Sequence, residues 1–345
     1  MRNVFQSTTD RRENVRSAPE SLQSVTDRRD RASIGDGKSS PSLIDDEKFG
    51  ATLVAASTAN SRDGDGKWQW LRGSYGSVYL ARTRIPNSRL LPLIAIKSAV
   101  FLKSSSLQKE REILLEILRG CPEIICCYGH QVTIENGQLL YNLLLEFAPG
   151  GTLADLIKNK NCGGMLPESD VRRYTHMILK GLSYMHEKGY VHCDIKPSNI
   201  LVFPADHQEQ DGVNRLKIAD FGRAKRSGAG DFYVDGRLRN FRGTALYSSP
   251  ESVACGLHEA PMDIWSLGCV IVEMVTGKPA WSYRDMHHLL CGIGFGGDDD
   301  LPKIPEGMST NGKDFVIRCL VREPNERWTA KMLLNHPFIL DITPN

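Results

Sequence analysis

The sequence predicts an α+β chain of two lobes: a small, mostly antiparallel β lobe with one main helix, and a larger helical lobe. Three observations predict it. Alternating, β-branched runs dominate residues 67–147, the pattern of half-buried strands. Apolar residues at helical spacing dominate residues 151–338. One glycine-rich turn, "APGG" at Ala148–Gly151, joins the two, so a cleft lies between them, where ligands bind.

Residues 1–66 are rich in Ser, Asp, Arg and Gly and carry no sustained apolar period. Such a segment cannot bury enough surface to offset its ordering entropy, and a disordered tail is expected. It contains a near-repeat, "TDRR" at Thr9–Arg12 and Thr26–Arg29, and a proline-directed phosphorylation candidate at Ser40-Pro41. A docking or phosphorylation arm is the alternative reading.

From Lys67 the runs "SVYLART" and "LIAIKSAV" read as strands, separated by the loop signal "RIPNSRLLP". "SSSLQKEREILLEILRG" reads as a serine-capped helix ending at Gly120. "IICCYGHQVTI" and "GQLLYNLLLEF" complete the strands, with the short "KWQW" before the first loop. In the second lobe, "PESDVRRYTHMILKGLSYMHEKG" is a long helix with proline in its first turn. Its core-facing stripe is Val171, Tyr174, Met177, Ile178 and Leu182. Short strands follow at "NILVF" and "RLKIAD", then apolar helices at "DIWSLGCVIVEMVTG" and "GKDFVIRCLV". Residues 339–345 are left as a short tail.

The 345 residues are 24% charged and 41% hydrophobic, the balance of an ordinary globular chain. A net charge of +2 argues against a dedicated nucleic-acid binder. No apolar run approaches the roughly 20 residues needed to span a bilayer. The start lacks the apolar core of a signal peptide, and the nine cysteines show no C-x-x-C spacing. The expectation is an intracellular protein, cytoplasmic or nuclear, with free thiols and neither nucleic acid nor membrane as partner.

Lys97 lies inside an apolar strand, "IAIK", on the face it shares with the small Ala95, which leaves room for a ligand. A cation there needs a carboxylate partner. Glu110 has Ile113, Leu114 and Ile117 at i+3, i+4 and i+7 and is favoured over Glu112, which remains the alternative. Downstream, "HCDIKPSNIL" brings Asp194, Lys196 and Asn199 into one loop. Asp194 can accept a proton from an attacking hydroxyl, and Lys196 can neutralise a phosphoryl group in transfer. Asn199 can give an oxygen to Mg2+. Asp220 of "IADFG", at a strand end before a flexible glycine, completes a set of hard oxygen donors.

The set "GSYGSV", "IAIK", "HCDIKPSN", "DFG", "SPE" (Ser249–Glu251) and "DIWSLG" (Asp263–Gly268) resembles the eukaryotic protein kinase family over about Trp68–Phe338. The resemblance implies the bilobal kinase fold, domain bounds of 67–338 and an ATP cleft between lobes 67–147 and 151–338. It implies Asp194 as catalytic base, Lys97 on the α- and β-phosphates paired with the helix glutamate, and Asn199 and Asp220 on Mg2+. Leu71, Arg72, Gly73, Ser74, Tyr75, Gly76, Ser77, Val78 and Tyr79 would form the loop over the phosphates. Glu146, Phe147 and Ala148 would meet adenine through their backbone, with Leu145 at the back of the pocket. Glu251 would pair with Arg327, and Asp263 would hold the catalytic loop through backbone hydrogen bonds. Lys196 of "DIKPSN" resembles the serine/threonine branch. "GCPEIICCYG", "LLLEFAPGGTLADLI" and "FRGTALYSSPES" resemble plant mitogen-activated protein kinase kinase kinases of the MEKK type. That implies a mitogen-activated protein kinase kinase as protein substrate. A pseudokinase scaffold is the alternative; a small-molecule kinase fits poorly with "SPE", "DIWSLG" and "NERW".

Three positions depart from the family pattern. Leu71 replaces the first glycine of the loop, which costs on the order of 1–2 kcal/mol if a positive φ is required and almost nothing if the backbone is extended. "SSPE" replaces A-P-E. Cys193 replaces the arginine that pairs with an activation-loop phosphate, and Ser227, Tyr233 and Thr244 are the only hydroxyls between Asp220 and "LYSSPE". Activity without such a phosphate is expected, with Thr244 a structural hydroxyl.

Overall fold

Five strands form the sheet of the small lobe: β1 (Leu71–Gly73), β2 (Gly76–Arg82), β3 (Leu93–Val100), β4 (Cys127–Glu135) and β5 (Gln138–Glu146). Their order is β1-β2-β3-β5-β4, every pair antiparallel. The computed structural model describes residues 71–73, 76–82, 93–158, 164–205, 214–229 and 242–341. The predicted "KWQW" strand, the 1–66 tail and loop residues Ser74 and Tyr75 lie outside the described residues.

Between β3 and β4 runs α1 (Ser105–Glu112), which continues as a π-helical stretch, Ile113–Ile117. The helix therefore closes at Leu118, before the predicted end at Gly120, which itself takes φ +91°. The expected serine cap is also made differently. The Ser104 hydroxyl donates to the Phe101 carbonyl at 2.7 Å and accepts from Gln108 Nε2 at 2.8 Å, leaving the helix N–H groups to others. Leu107, Glu110, Ile113 and Leu114 are the residues this helix buries against the sheet.

The large lobe holds α2 (Leu153–Lys158) and the 20-residue α3 (Glu168–Glu187), with Pro167 at the N-cap one position before the expected first turn. Short antiparallel pairs follow: β6 (Tyr190–Val191) with β9 (Lys225–Arg226), and β7 (Ile200–Phe203) with β8 (Arg215–Ile218). Then come α4 (Pro250–Cys255), α5 (Ala260–Thr276), α6 (Met286–Phe295), α7 (Thr310–Cys319), α8 (Ala330–Leu333) and α9 (Pro337–Leu340). α3 packs on α5, α8, α9 and β8. α5 is apolar almost all round and is buried along most of its length, as such a helix must be. Among the described residues no helix is long and apolar enough to cross a membrane.

Backbone bonds stitch the lobes beside the junction. Ile125 N–H donates to the Ile218 carbonyl at 3.0 Å, and Ile218 N–H donates to Glu123 O at 2.8 Å. Gly150 N–H donates to Val202 O at 3.0 Å. A Cβ at Gly150 would stand 2.6 Å from that carbonyl, so only glycine permits the approach.

Candidate active site

Lys97 is 8% exposed, near the middle of β3, opposite Val78 of β2 and Leu143 of β5. Its Nζ donates to Glu110 Oε2 at 2.8 Å and to Asp220 Oδ1 at 2.7 Å. Glu110 is fully buried on α1, and its other oxygen accepts the Phe221 N–H at 3.1 Å. Glu112 is exposed. Burial alone would lower the Lys97 ammonium, but the Glu110 and Asp220 carboxylates outweigh it and hold its pKa above the ordinary value. Burial pushes the Glu110 carboxyl up, with Lys97 and the Phe221 N–H pulling against it. Burial would also raise Asp220, yet Lys97 holds it below the usual carboxylate range.

Asp220 lies two residues beyond β8 in the left-handed conformation, φ +65°. The following Gly222 sits in a 3-10 turn without positive φ, so the unusual backbone falls on the aspartate rather than on the expected flexible glycine. The Ala219 N–H donates to the Asn199 carbonyl at 2.9 Å, which sets Asp220 beside the second loop.

That loop leaves β6 through His192 and Cys193. Asp263, fully buried in the first turn of α5, accepts the His192 N–H at 2.8 Å and the Cys193 N–H at 3.0 Å. His186 Nε2 lies 2.9 Å from the same carboxylate. The His192 ring accepts the Asp194 N–H at Nδ1, which makes Nε2 the protonated nitrogen facing the Ala219 carbonyl at 3.0 Å. Its edge meets the Phe221 ring at 4.9 Å. Cys193 has φ +65°; its buried side chain packs with Val191 and Met262, on the inner side of the loop. Its carbonyl faces Gly243, where a Cβ would approach to 2.8 Å.

Asp194 is 5% exposed at the centre of a polar network. Oδ1 accepts from Thr244 Oγ1 at 2.8 Å; Oδ2 accepts from Lys196 Nζ at 3.0 Å and Asn199 Nδ2 at 3.2 Å. Lys196 also donates to Thr244 Oγ1 at 2.8 Å, and Asn199 Nδ2 to the Asp194 carbonyl at 2.8 Å. Arg223 Nε stands 3.7 Å from Oδ2, a neighbour that sequence reasoning did not anticipate. With its amide nitrogen turned to Asp194, Asn199 keeps its oxygen as a donor for a hard cation. Asn199 and Asp220 together supply only oxygen donors. Among the described residues no group of three or more His, Cys, Asp and Glu could hold a metal alone. The oxygen-only donor pair fits Mg2+, a hard cation.

At the junction Leu145 is buried opposite Ala95, while Glu146, Phe147 and Ala148 are half-buried. Lys217 of β8 grips the Glu146 carboxylate at 2.8 and 2.7 Å, an ion pair across 71 residues with no local sequence signal. The Glu146 N–H is taken by the Cys126 carbonyl at 2.9 Å. Above the cleft, β1 and β2 pair Leu71 with Val78, Arg72 with Ser77 and Gly73 with Gly76; Tyr79 is half-buried.

Two further pairs fix the floor of the large lobe. Arg327 binds Glu251 in a fork, 2.7 and 3.0 Å, and also donates to the carbonyls of Val321, Pro261 and Arg322. Ser266 Oγ donates to the Tyr247 carbonyl at 2.7 Å, tying α5 to the turn after Thr244.

Residues 72–339 match the protein kinase domain family. The chain is 46% identical over 280 residues to mitogen-activated protein kinase kinase kinase 20 of Arabidopsis thaliana, covering 79% of this chain and 78% of that one. It is 40% identical over 284 residues to mitogen-activated protein kinase kinase kinase 18 of the same plant, covering 79% and 76%. For mitogen-activated protein kinase kinase kinase 17 the figures are 39% over 282 residues, 79% and 69%. The chain belongs to the protein kinase family and is a protein serine/threonine kinase resembling the plant MEKK-type enzymes.

Proposed function

We propose that this kinase transfers the γ-phosphate of ATP to hydroxyls of a mitogen-activated protein kinase kinase, with Mg2+ as cofactor. The observation that carries the reading is the arrangement around Asp194: a buried carboxylate whose two oxygens are oriented by Thr244, Lys196 and Asn199. Phosphoryl transfer is mostly positioning and charge stabilisation, so oriented groups of this kind are what the reaction needs. Asp194 orients the substrate hydroxyl and takes its proton. Lys196, 3.0 Å from Asp194, would offset the charge of the incoming phosphoryl oxygens. Lys97, held by Glu110, would present its ammonium to the α- and β-phosphates. Asn199 and Asp220 would hold Mg2+, which supplies neutralisation of phosphate charge.

The strand pairing of β1 with β2 and the burial of Leu145 beside Ala95 support a nucleotide pocket under Leu71–Tyr79 and against Glu146–Ala148. The cascade position rests on the kinase kinase kinase relatives.

The test is ATP turnover with Mg2+ on a recombinant mitogen-activated protein kinase kinase, comparing the parent chain with Asp194→Asn. The parent should turn over at about 1–100 per second. Asp194→Asn should lose that activity while still binding nucleotide. Equal silence of both proteins with nucleotide binding intact would replace this reading by a pseudokinase scaffold.

A further inference from the structure

Glu259 stands just before α5, four residues ahead of Asp263, and gathers the start of the activation segment. Its carboxylate accepts the Ser227 hydroxyl and the Gly228 N–H, the latter at 3.1 and 3.3 Å. Lys225 Nζ lies 3.5 Å from Oε1. Ser227 is exposed, and its own N–H is bound to the Gly189 carbonyl at 2.8 Å. Lys225 and Arg226 pair with Val191 and Tyr190, the two residues that lead into His192. One end of α5 therefore holds the catalytic loop through Asp263 and the neighbouring β9 through Glu259.

We propose that Ser227 and Glu259 form a clasp that positions β9 against the catalytic loop, and that a phosphate on Ser227 opens it. The inference rests on the kinase reading given above. The unmodified hydroxyl is the donor that a carboxylate needs. Phosphorylation forms an Oγ–P bond and breaks the bond from the γ-phosphorus to the diphosphate of a nucleoside triphosphate. The hydroxyl proton is released to solvent. The product has only acceptor oxygens facing another acceptor, so the hydrogen bond becomes a repulsion. The Lys225–Glu259 pair, neutral in sum, becomes a cluster of about −1.5 to −2. This chain has Cys193 where an arginine would answer an activation-loop phosphate. Glu259 instead presents an anion to Ser227, so a phosphate there meets repulsion rather than a cation. Glu259 and Ser227 touch no reacting atom; they are positioning residues.

The experiment installs phosphoserine at position 227 of the full chain, with Glu259 intact and with Glu259→Gln. It reads kcat, KM for ATP and amide hydrogen exchange at Gly228. With Glu259 intact the phosphate should lower kcat about tenfold, the scale of a lost hydrogen bond to a charged group, and leave KM for ATP nearly unchanged. Exchange at Gly228 should quicken. Glu259→Gln offers an amide donor to the phosphate and should recover most of the lost kcat. A phosphoserine that leaves kcat and Gly228 exchange unaltered overturns the proposal. So does an equal loss with Glu259 and with Gln. Should the unmodified chain turn over no ATP, the kinase reading fails instead, and Gly228 exchange still decides whether the clasp opens.

Discussion

Leu71 takes the place of a glycine in the loop over the cleft, and it does so as a paired strand residue opposite Val78. The described non-glycine residues with positive φ are Asn136, Cys193 and Asp220, so Leu71 carries no left-handed strain for a glycine to relieve. Leu71→Gly is therefore expected not to lower KM for ATP, and to cost about 0.5–1 kcal/mol of stability through added chain entropy. Steady-state kinetics and a urea midpoint check both halves; a lower KM would mean that the loop needs a conformation other than the strand. Asp220 presents the converse case, a left-handed residue whose charge is also used. Asparagine tolerates that backbone better than alanine. Asp220→Asn should thus be more stable than Asp220→Ala by about 1 kcal/mol, with turnover lost in both. Equal stability of the two variants would remove the backbone argument.

Among the elements, α5 carries the tightest demands. Its apolar sequence makes a buried helix legible, and the aspartate in "DIWSLG" is legible through the family motif. Asp263 accepts two backbone N–H groups and faces His186, so among the described residues its two oxygens meet nitrogens. Asp263→Asn would turn an amide nitrogen onto one of them. A loss of about 1–3 kcal/mol is expected, together with a fall in kcat, read by denaturation and turnover. Arg327→Ala would strand the buried Glu251 carboxylate and should cost about 3–5 kcal/mol. Arg327→Lys should recover little of it, because a lysine cannot make the fork. The apolar stripe of α1 favoured Glu110 over Glu112 without deciding between them, and Glu110 is the buried one. What escaped sequence reasoning were contacts without a local pattern. The π-helical close of α1, the Lys217–Glu146 pair and the Glu259 clasp each depend on which distant segment the fold brings alongside. Ser104 escaped for a different reason: its hydroxyl had two competing partners, and the sequence shows only that it could cap.

The molecule as a whole is coupled through Lys97, which joins β3 and α1 of the small lobe to Asp220 of the large one. Its removal exposes the electrostatic cost that the triad balances. In Lys97→Met the buried Glu110 loses its cation, and its carboxyl, already raised by burial, rises further. A raised folded pKa gives stability that is present below the unfolded value and lost as pH climbs through the folded one. Asp220 works in the same direction. Its carboxyl is depressed by Lys97, so in the parent it contributes stability above its unfolded value, and the variant lacks that contribution. The Asp220 contribution is complete by about pH 5, so between about pH 5 and about pH 8 it is the Glu110 rise that makes the variant fall further behind the parent. The gap in unfolding free energy should be wider at about pH 8 than at about pH 5, by about 1.4 kcal/mol for each unit by which the Glu110 carboxyl is raised within that window. Adding Glu110→Gln to Lys97→Met removes the group that titrates there, and most of the widening should vanish. Urea titrations of the three proteins at the two pH values decide it. Parallel pH profiles for parent and Lys97→Met would show that Glu110 keeps its charge without Lys97, held by the Phe221 N–H and local water alone.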